Sequence, residues 1–207
     1  FLSGINHKIV TAVIVIAIPV FCIFGYFVVQ PDTGKKILSE YQYNRIVGFF
    51  QDDNETAKKI RYQQENSLLA IGSGGLTGKG LYNNTVTSVK NGKLLSESHT
   101  DFIFTIVGEE LGFVGAAAVI LLLFMIVLEC FITGSRAPTF SGKLFCFGFG
   151  VLIAIQSFVN IAVATFLLPN TGVTLPFVSY GLTSLLSMYI GVGIVLNIGL
   201  QRTKARV

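Results

Sequence analysis

The chain has 207 residues, of which 52% are hydrophobic and only 13% are charged. Its mean hydropathy of +0.68 excludes an ordinary soluble globular protein and is typical of an integral membrane protein. The formal net charge of +4 requires no nucleic-acid partner, because basic residues at the ends of membrane spans account for much of it. Cys22, Cys130 and Cys146 lie in or beside apolar stretches without CxxC spacing, so we interpret them as packing residues.

Four segments have the ~20 apolar residues that a helix needs to cross the hydrocarbon core. They lie at about 9–29, 113–133, 144–168 and 173–200. The second can begin earlier, near Phe102, which places Glu109 and Glu110 in its first turns. The fourth contains Pro176 and Gly181, which predict a kink or a partly unwound start. The predicted fold class is all-α integral membrane, with four transmembrane helices in a single membrane domain over residues 1–207.

The basic residues of the short connections set the predicted orientation. Lys8 precedes the first span, Arg136 and Lys143 lie between the second and third, and three basic residues follow the fourth. This pattern places both termini in the cytoplasm and the segment 30–100 outside the cell. The basic residues of that segment do not oppose the assignment, because long loops cross membranes regardless of charge.

The extracytoplasmic loop 30–100 is too long for a bare connector and is predicted to carry the function. Residues 41–50 mix aromatic side chains with Arg45, which is typical of a short amphipathic helix in the membrane interface. Residues 51–59 are predicted to be a polar break. A second short helix follows, because five residues share one face at helical spacing: Ile60, Gln64, Ser67, Leu68 and Ile71.

A glycine-rich run at 72–80 must be irregular, since five of its nine residues are glycine. It resembles a phosphate-cradling loop, because glycines expose backbone N–H groups and Lys79 supplies a cation. It is not a Walker A motif, which requires Gly where this chain has Ser73 and Ser or Thr where it has Gly80. The interpretation that we favour slightly is a tight re-entrant turn packed against helices.

Several polar residues lie in or beside the later spans. Glu109 and Glu110 suit the positive end of a helix dipole better than a cation or substrate site. Ser179 and Gly181 favour close helix packing, and Asn160, in the middle of the third predicted span, is expected to bond another helix.

Asp101 lies where the long polar segment meets the second span. A carboxylate at this boundary is a functional hypothesis by default, because ionisable groups near a membrane are costly to place. It is equally well suited to cap the helix that begins there. His99 can orient Asp101 or exchange a proton with it, although a lone surface histidine is the commoner case.

Five blocks of sequence, taken together, resemble the SEDS family of shape, elongation, division and sporulation proteins, the RodA/FtsW/SpoVE group. Order and spacing agree from about residue 9 to 200. The blocks are Tyr41-Gln42 with Arg45-Ile46, the run 63–80 with Gly72-Ser73-Gly74-Gly75, Glu97-x-His99-Thr100-Asp101, Glu109-Glu110-Leu111-Gly112, and 168–181 with Pro176-Phe177-Val178-Ser179-Tyr180-Gly181.

The resemblance implies the C-terminal part of a ten-span peptidoglycan glycosyltransferase of the bacterial cell membrane. Such a protein polymerises lipid II, an undecaprenyl-diphosphate-linked substrate, beside a class B penicillin-binding protein, in elongation, division or sporulation. The family's essential aspartate falls on Asp101. The implied substrate-binding residues are Arg45, Gln64, Ser73, Lys79, His99 and Thr100, and the implied structural motif residues are Gly74, Gly75, Gly78, Glu109, Glu110, Pro169, Pro176, Ser179 and Gly181.

Two roles for Asp101 fit this chemistry. As a general base it takes the proton of the attacking sugar hydroxyl, and as a metal ligand it holds a divalent cation (Mg or Mn) that offsets the charge of the leaving diphosphate. Lys79 or Arg45 are alternative sources of that positive charge.

Two other functions are compatible with the sequence. The chain can be a catalytically inactive, truncated family member that acts as a scaffold for the penicillin-binding protein. It can also be part of a channel or transporter, which the interrupted fourth span and Asn160 favour weakly.

Overall fold

The computed structural model of the chain describes residues 55–81 and 100–204, together with eight single positions before residue 55. These residues form helices and no strand, and they belong to two compact units, Phe1–Arg61 and Tyr62–Val207. We number the four helices of the continuous described ranges α1 (Glu55–Ser73), α2 (Ile103–Arg136), α3 (Phe140–Ala164) and α4 (Leu182–Lys204). The predicted span 9–29 and most of the predicted loop lie outside the described residues.

Three helices are long and apolar enough to cross a membrane: Ile103–Arg136, Phe140–Ala164 and Leu182–Gln201. They correspond to the second, third and fourth predicted spans, and they make the chain a multi-pass membrane protein. The helix bounds differ from the predicted spans. The third helix runs over Phe140–Ala164 where 144–168 was predicted, and the fourth begins at Leu182 where 173 was predicted.

A non-helical residue interrupts α2 at Gly112, where φ is 66° and ψ is −164°. This conformation is accessible essentially to glycine alone. The residues before the break form a short helix that begins at Ile103, in agreement with the predicted early start near Phe102. Glu109 and Glu110 lie in its second turn. The 24 residues that follow, 113–136, extend about 36 Å at the helical rise and are sufficient to cross the hydrocarbon core.

The connection 165–181 between α3 and α4 is buried among the helices over part of its length. Leu175 is 1% exposed, and Pro176 is equally buried. Phe177 has a φ of 63° and follows Pro176. A type II turn commonly has proline at its second residue and requires a positive φ at its third, so these two residues fit that turn. Its ring contacts Tyr189 edge to face, with 5.8 Å between the ring centroids. The irregular segment that was predicted to be the unwound start of the fourth span is therefore a separate turn, and it ends before the helix begins at Leu182.

Helix α1 is longer than its predicted pattern, because it begins at Glu55 inside the predicted polar break. Its buried side chains follow the predicted face, with Ile60, Gln64 and Ser67 buried. Leu68 is 44% exposed and therefore lies at the edge of that face. The described positions between residues 42 and 49 are helical too, in agreement with a helix over 41–50.

Away from the connection 165–181, close packing of small side chains joins α2 and α3. Cys130 and Cys146 are buried free thiols, in agreement with their interpretation as packing residues, while Cys22 lies outside the described residues. A Cβ added at Gly134 would approach the Cys146 Cβ to 3.0 Å, and one added at Gly150 would approach the Cys130 Cβ to 3.1 Å. Small residues at these crossings let the backbones approach each other.

We predict that Gly112→Ala lowers the free energy of unfolding by about 2 kcal/mol or more, because φ is positive and the added Cβ would lie 2.7 Å from the Leu76 carbonyl oxygen. Gly148→Ala is the matched control, since nothing lies within 4 Å of the added methyl group. The control is expected to be neutral or stabilising by up to about 1 kcal/mol. Unfolding of both variants in detergent micelles measures the difference, and equal stabilities would contradict the prediction.

Candidate active site

Asp101 lies in a turn immediately before α2 and is partly exposed. The predicted role as N-cap is wrong in position, because the N-cap residue is Phe102 and no side chain makes the cap hydrogen bond. The Phe102 carbonyl instead accepts the first bond of the helix, from the Thr105 N–H at 3.0 Å. The carboxylate therefore stands one residue outside the position that a capping side chain occupies.

Two buried side chains hold the backbone of this turn. The Asn160 amide nitrogen donates to the Asp101 carbonyl at 2.8 Å, and the Ser179 hydroxyl donates to the Thr100 carbonyl at 2.7 Å. Asn160 is 1% exposed and Ser179 is 2% exposed. Asn160 was expected in mid-membrane and bonded to another helix. It lies one turn from the end of α3 and bonds the backbone of two non-helical segments, since it also donates to the Val173 carbonyl.

Gln64 and Ser67, on α1, complete the carboxyl end of α3. The Gln64 amide nitrogen donates to the carbonyls of Val163 and Leu168, at 3.2 and 2.8 Å, and the Ser67 hydroxyl donates to the Ala164 carbonyl at 2.7 Å. The last carbonyls of a helix have no partner within the helix, so the Ser67 bond satisfies the Ala164 carbonyl, whereas the Val163 carbonyl also accepts from the Phe166 N–H.

Ser67 also makes a short hydrogen bond with the hydroxyl of Thr105, which is fully buried in α2. Thr105 was not singled out from the sequence. In the sequence, Thr105 is a single hydroxyl residue near the start of an apolar run. Such a pattern does not distinguish a hydrogen-bonding residue from a packing residue.

The glycine-rich run uses its backbone N–H groups within the protein. Those of five residues donate to protein carbonyls, namely Gly74, Gly75, Gly78, Lys79 and Gly80. Ser73 ends α1, and its hydroxyl donates to the Ala70 carbonyl at 2.7 Å. A Cβ added at Gly74 would approach the carbonyl carbon of Gly108 to 3.0 Å. These contacts agree with the tight turn packed against a helix rather than with a phosphate cradle.

Lys79 forms an ion pair with Glu109, with 2.9 Å between the Nζ and Oε1 atoms. The Glu109 side chain is 2% exposed and that of Lys79 is 25% exposed. A carboxylate buried in this way is tolerated when it is paired. The neighbouring Glu110 has one buried oxygen without a hydrogen-bond partner among the described residues.

The structure brings some predicted site residues together but not all of them. Gln64, Thr100, Asp101 and Ser179 lie at the same end of the bundle, linked through α3 and the connection 165–181. Arg45 belongs to the unit Phe1–Arg61, and His99 lies outside the described residues. The other predicted motif residues, Pro169, Pro176 and Gly181, lie in the connection 165–181, and the Gly181 carbonyl accepts the first hydrogen bond of α4.

Within 55–81 and 100–204, no group of three or more His, Cys, Asp or Glu side chains is arranged to hold a metal ion. Asp101 offers one carboxylate in the turn before α2. Mg²⁺ is commonly held by one or two carboxylates together with phosphates and water, so a single aspartate can serve as one ligand of such an ion.

The fold and the site define a multi-pass helical membrane protein. It carries a carboxylate, Asp101, on a turn at the end of the helix bundle, and buried side chains hydrogen-bond the backbone of that turn. The family model described as "Cell cycle protein", FtsW/RodA/SpoVE, matches residues 1–204. The chain therefore belongs to the FtsW/RodA/SpoVE family, which is the SEDS family.

Curated relatives support this membership. The "Probable peptidoglycan glycosyltransferase FtsW" of Idiomarina loihiensis is 39% identical over 170 residues, which are 80% of this chain and 40% of that protein. The protein of the same name from Geobacter sulfurreducens is 35% identical over 201 residues, 96% of this chain and 49% of that protein. The chain thus spans less than half the length of these relatives.

A solved structure shares the fold. It is a chain described under "Structural coordination of polymerization and crosslinking by a peptidoglycan synthase complex". The TM-score is 0.62 at 24% identity, and the match covers 95% of this chain and 49% of that one. At this identity the likeness concerns the fold alone.

We predict that Lys79→Met lowers the free energy of unfolding by about 3 kcal/mol, because it leaves the Glu109 carboxylate buried without its ion-pair partner. The double variant with Glu109→Gln should recover at least half of that loss. Lys58→Met, at an exposed position of α1, is the control and should change stability by less than about 0.5 kcal/mol. Unfolding in detergent checks the cycle, and purely additive effects of the two substitutions would refute the coupling.

Proposed function

We propose that the protein carrying this chain is a peptidoglycan glycosyltransferase that polymerises lipid II, and that Asp101 is its catalytic carboxylate. The observation that carries the proposal is the placement of Asp101. It stands on a turn fixed by two buried side chains, at the end of a membrane-spanning bundle, in a chain whose relatives bear that enzyme name.

The proposed orientation places Asp101 on the outer face of the bacterial cell membrane. Arg136 and Lys143 flank the short connection between α2 and α3, and Asp101 precedes α2 at its opposite end. The excess of basic residues in short cytoplasmic loops then assigns Asp101 to the extracytoplasmic side and both termini to the cytoplasm. A lipid-linked sugar presented at the outer surface meets the bundle at this end.

In the proposed reaction a hydroxyl oxygen of one lipid II sugar attacks the anomeric carbon of another. The bond from that carbon to the diphosphate oxygen breaks, undecaprenyl diphosphate leaves with the electron pair, and Asp101 accepts the hydroxyl proton. A positioned general base contributes ~10²–10⁴-fold to such a step. Asp101 can instead hold a Mg²⁺ or Mn²⁺ ion, which when bound would offset the charge of the leaving diphosphate.

The remaining predicted residues take secondary places in this proposal. Lys79 is already paired with Glu109, so a phosphate near it would share a charge that is partly neutralised. Gln64 brings its amide to the end of α3, where it supports the fold of the site. Thr100, His99 and Arg45 remain proposed substrate contacts, and a class B penicillin-binding protein remains the proposed partner.

We predict that Asp101→Asn abolishes polymerisation, with a loss of at least about 10²-fold, because the amide keeps the shape but cannot accept the proton or bind the cation. The assay measures glycan chains formed from purified lipid II, in detergent, by the complete reading frame that encodes this chain. Glu129→Gln, which changes an exposed carboxylate near the other end of α2, is the matched control and should retain full activity.

Polymer yield from Asp101→Asn equal to that of the unmodified protein would refute the enzyme assignment. The same assay separates the other functions. A protein that forms no polymer but binds a class B penicillin-binding protein is a scaffold, and ion or solute flux in liposomes without polymerisation identifies a transporter.

A further inference from the structure

Each of the three consecutive backbone carbonyls of the turn 100–102 accepts a hydrogen bond from an identified donor. Thr100 accepts from the Ser179 hydroxyl at 2.7 Å, Asp101 accepts from the Asn160 amide at 2.8 Å, and Phe102 accepts from the backbone of α2 at 3.0 Å. The first two bonds come from side chains far away in the sequence. The path of the backbone through Asp101 is therefore set by α3 and the connection 165–181, in addition to the helix that follows it.

Asn160 and Ser179 each hold a second segment as well. Asn160 donates its other hydrogen to the Val173 carbonyl at 2.7 Å, and the Ser179 hydroxyl accepts from the Leu175 N–H at 2.8 Å. Each side chain thus ties the turn before α2 to the connection 165–181. The two bonds lie on adjacent carbonyls, Thr100 and Asp101, so together they limit rotation of the peptide between them.

Burial makes these bonds difficult to replace. Asn160 and Ser179 are 1% and 2% exposed, while Thr100 and Asp101 are partly exposed, so a carbonyl that loses its buried donor exchanges a fixed partner for mobile water. The bond to a positioned side chain is then lost, and the turn is free to move. The Asn160 Oδ1 atom has no partner among the described residues, so the hydrogen bonds of this side chain there are the two that its amide nitrogen donates.

We infer that Asn160 and Ser179 are positioning residues for Asp101, which fix the carboxylate through the backbone of the turn 100–102. The inference rests on the proposed function, because it concerns the geometry of the carboxylate that the proposal uses. A catalytic group must be held close to its productive position, and a displacement of about 1 Å can cost 10²-fold in rate. The N-cap residue of α2, Phe102, makes no side-chain cap hydrogen bond.

The test compares Asn160→Leu and Ser179→Ala in the complete reading frame that encodes the chain. Leucine keeps the number and branching of the asparagine side-chain heavy atoms and removes both donors, and alanine removes only the hydroxyl. We expect each variant to lower kcat for lipid II polymerisation by about 10- to 100-fold with KM changed less than about threefold. Ser179→Thr, which keeps a hydroxyl, should recover most of the lost kcat.

The matched controls lie one turn before Asn160 on α3. Ser157→Ala removes a buried hydroxyl, and Gln156→Leu removes a side-chain amide; the Ser157 Oγ and Gln156 Oε1 atoms have no hydrogen-bond partner among the described residues. Both controls should keep kcat within about twofold of the unmodified value. Melting temperatures in detergent are measured for all variants, so that a loss of rate is compared at equal fractions of folded protein.

The outcomes separate the inference from the proposed function. Normal kcat in Asn160→Leu and Ser179→Ala, with Asp101→Asn inactive, overturns the positioning role and leaves the enzyme assignment intact. Full activity of Asp101→Asn overturns the assignment itself. A fall in kcat that the controls share, or that disappears once folded fractions are equal, shows a general packing role and also overturns the inference. A kcat loss confined to the two variants and recovered by Ser179→Thr supports it.

Discussion

Four backbone hydrogen bonds between the loop 74–80 and the break at Gly112 fix the end of the bundle where Asp101 lies. The N–H groups of Lys79 and Gly80 donate to the carbonyls of Glu109 and Glu110, before the break. The N–H groups of residues 113 and 114, after it, donate to the carbonyls of residues 75 and 76. A helix interruption in a buried part of a membrane protein is tolerated where other parts of the protein satisfy the freed backbone groups. The loop and the break therefore require each other.

This exchange determines the place of α1. Because the loop follows α1 directly, anchoring the loop on α2 brings the carboxyl end of α1 beside the first turns of α2. Ser67 can then contact Thr105 while it bonds the Ala164 carbonyl, and Gln64 reaches the carbonyls at 163 and 168. One loop thus holds residues 62–73 of α1, the first turns of α2 and the end of α3 together, beside the turn that precedes α2.

The sequence was sufficient to predict elements whose signals are local. The three described spans, the buried face of α1 and the irregular glycine run follow from hydropathy, helical spacing and glycine content. The break at Gly112 and the ion pair from Lys79 to Glu109 were not predicted, because both depend on partners about thirty residues away along the chain. The start of α4 was placed nine residues early, since apolar residues 173–181 have the composition of a span. Their polar contacts, through Ser179 and Asn160, keep them in a turn.

Side-chain hydrogen bonds to irregular backbone are concentrated at the end of the bundle that carries Asp101, where they accompany apolar packing of Phe102, Phe104 and Leu175. At the end that carries Asp101, side-chain amides and hydroxyls bond carbonyls released by α3, by the turn 100–102 and by the connection 165–181. At the other end, α2, α3 and α4 enclose an apolar core that includes Cys130, Cys146 and Phe149. The proposed reaction, which would transfer a proton and expel a charged diphosphate, would need fixed dipoles of the kind that these side chains supply at the Asp101 end. The connection 165–181 is irregular, so its backbone groups need partners from other parts of the protein. The side chains that hydrogen-bond this backbone, Asn160 and Ser179, also donate to the turn that carries Asp101.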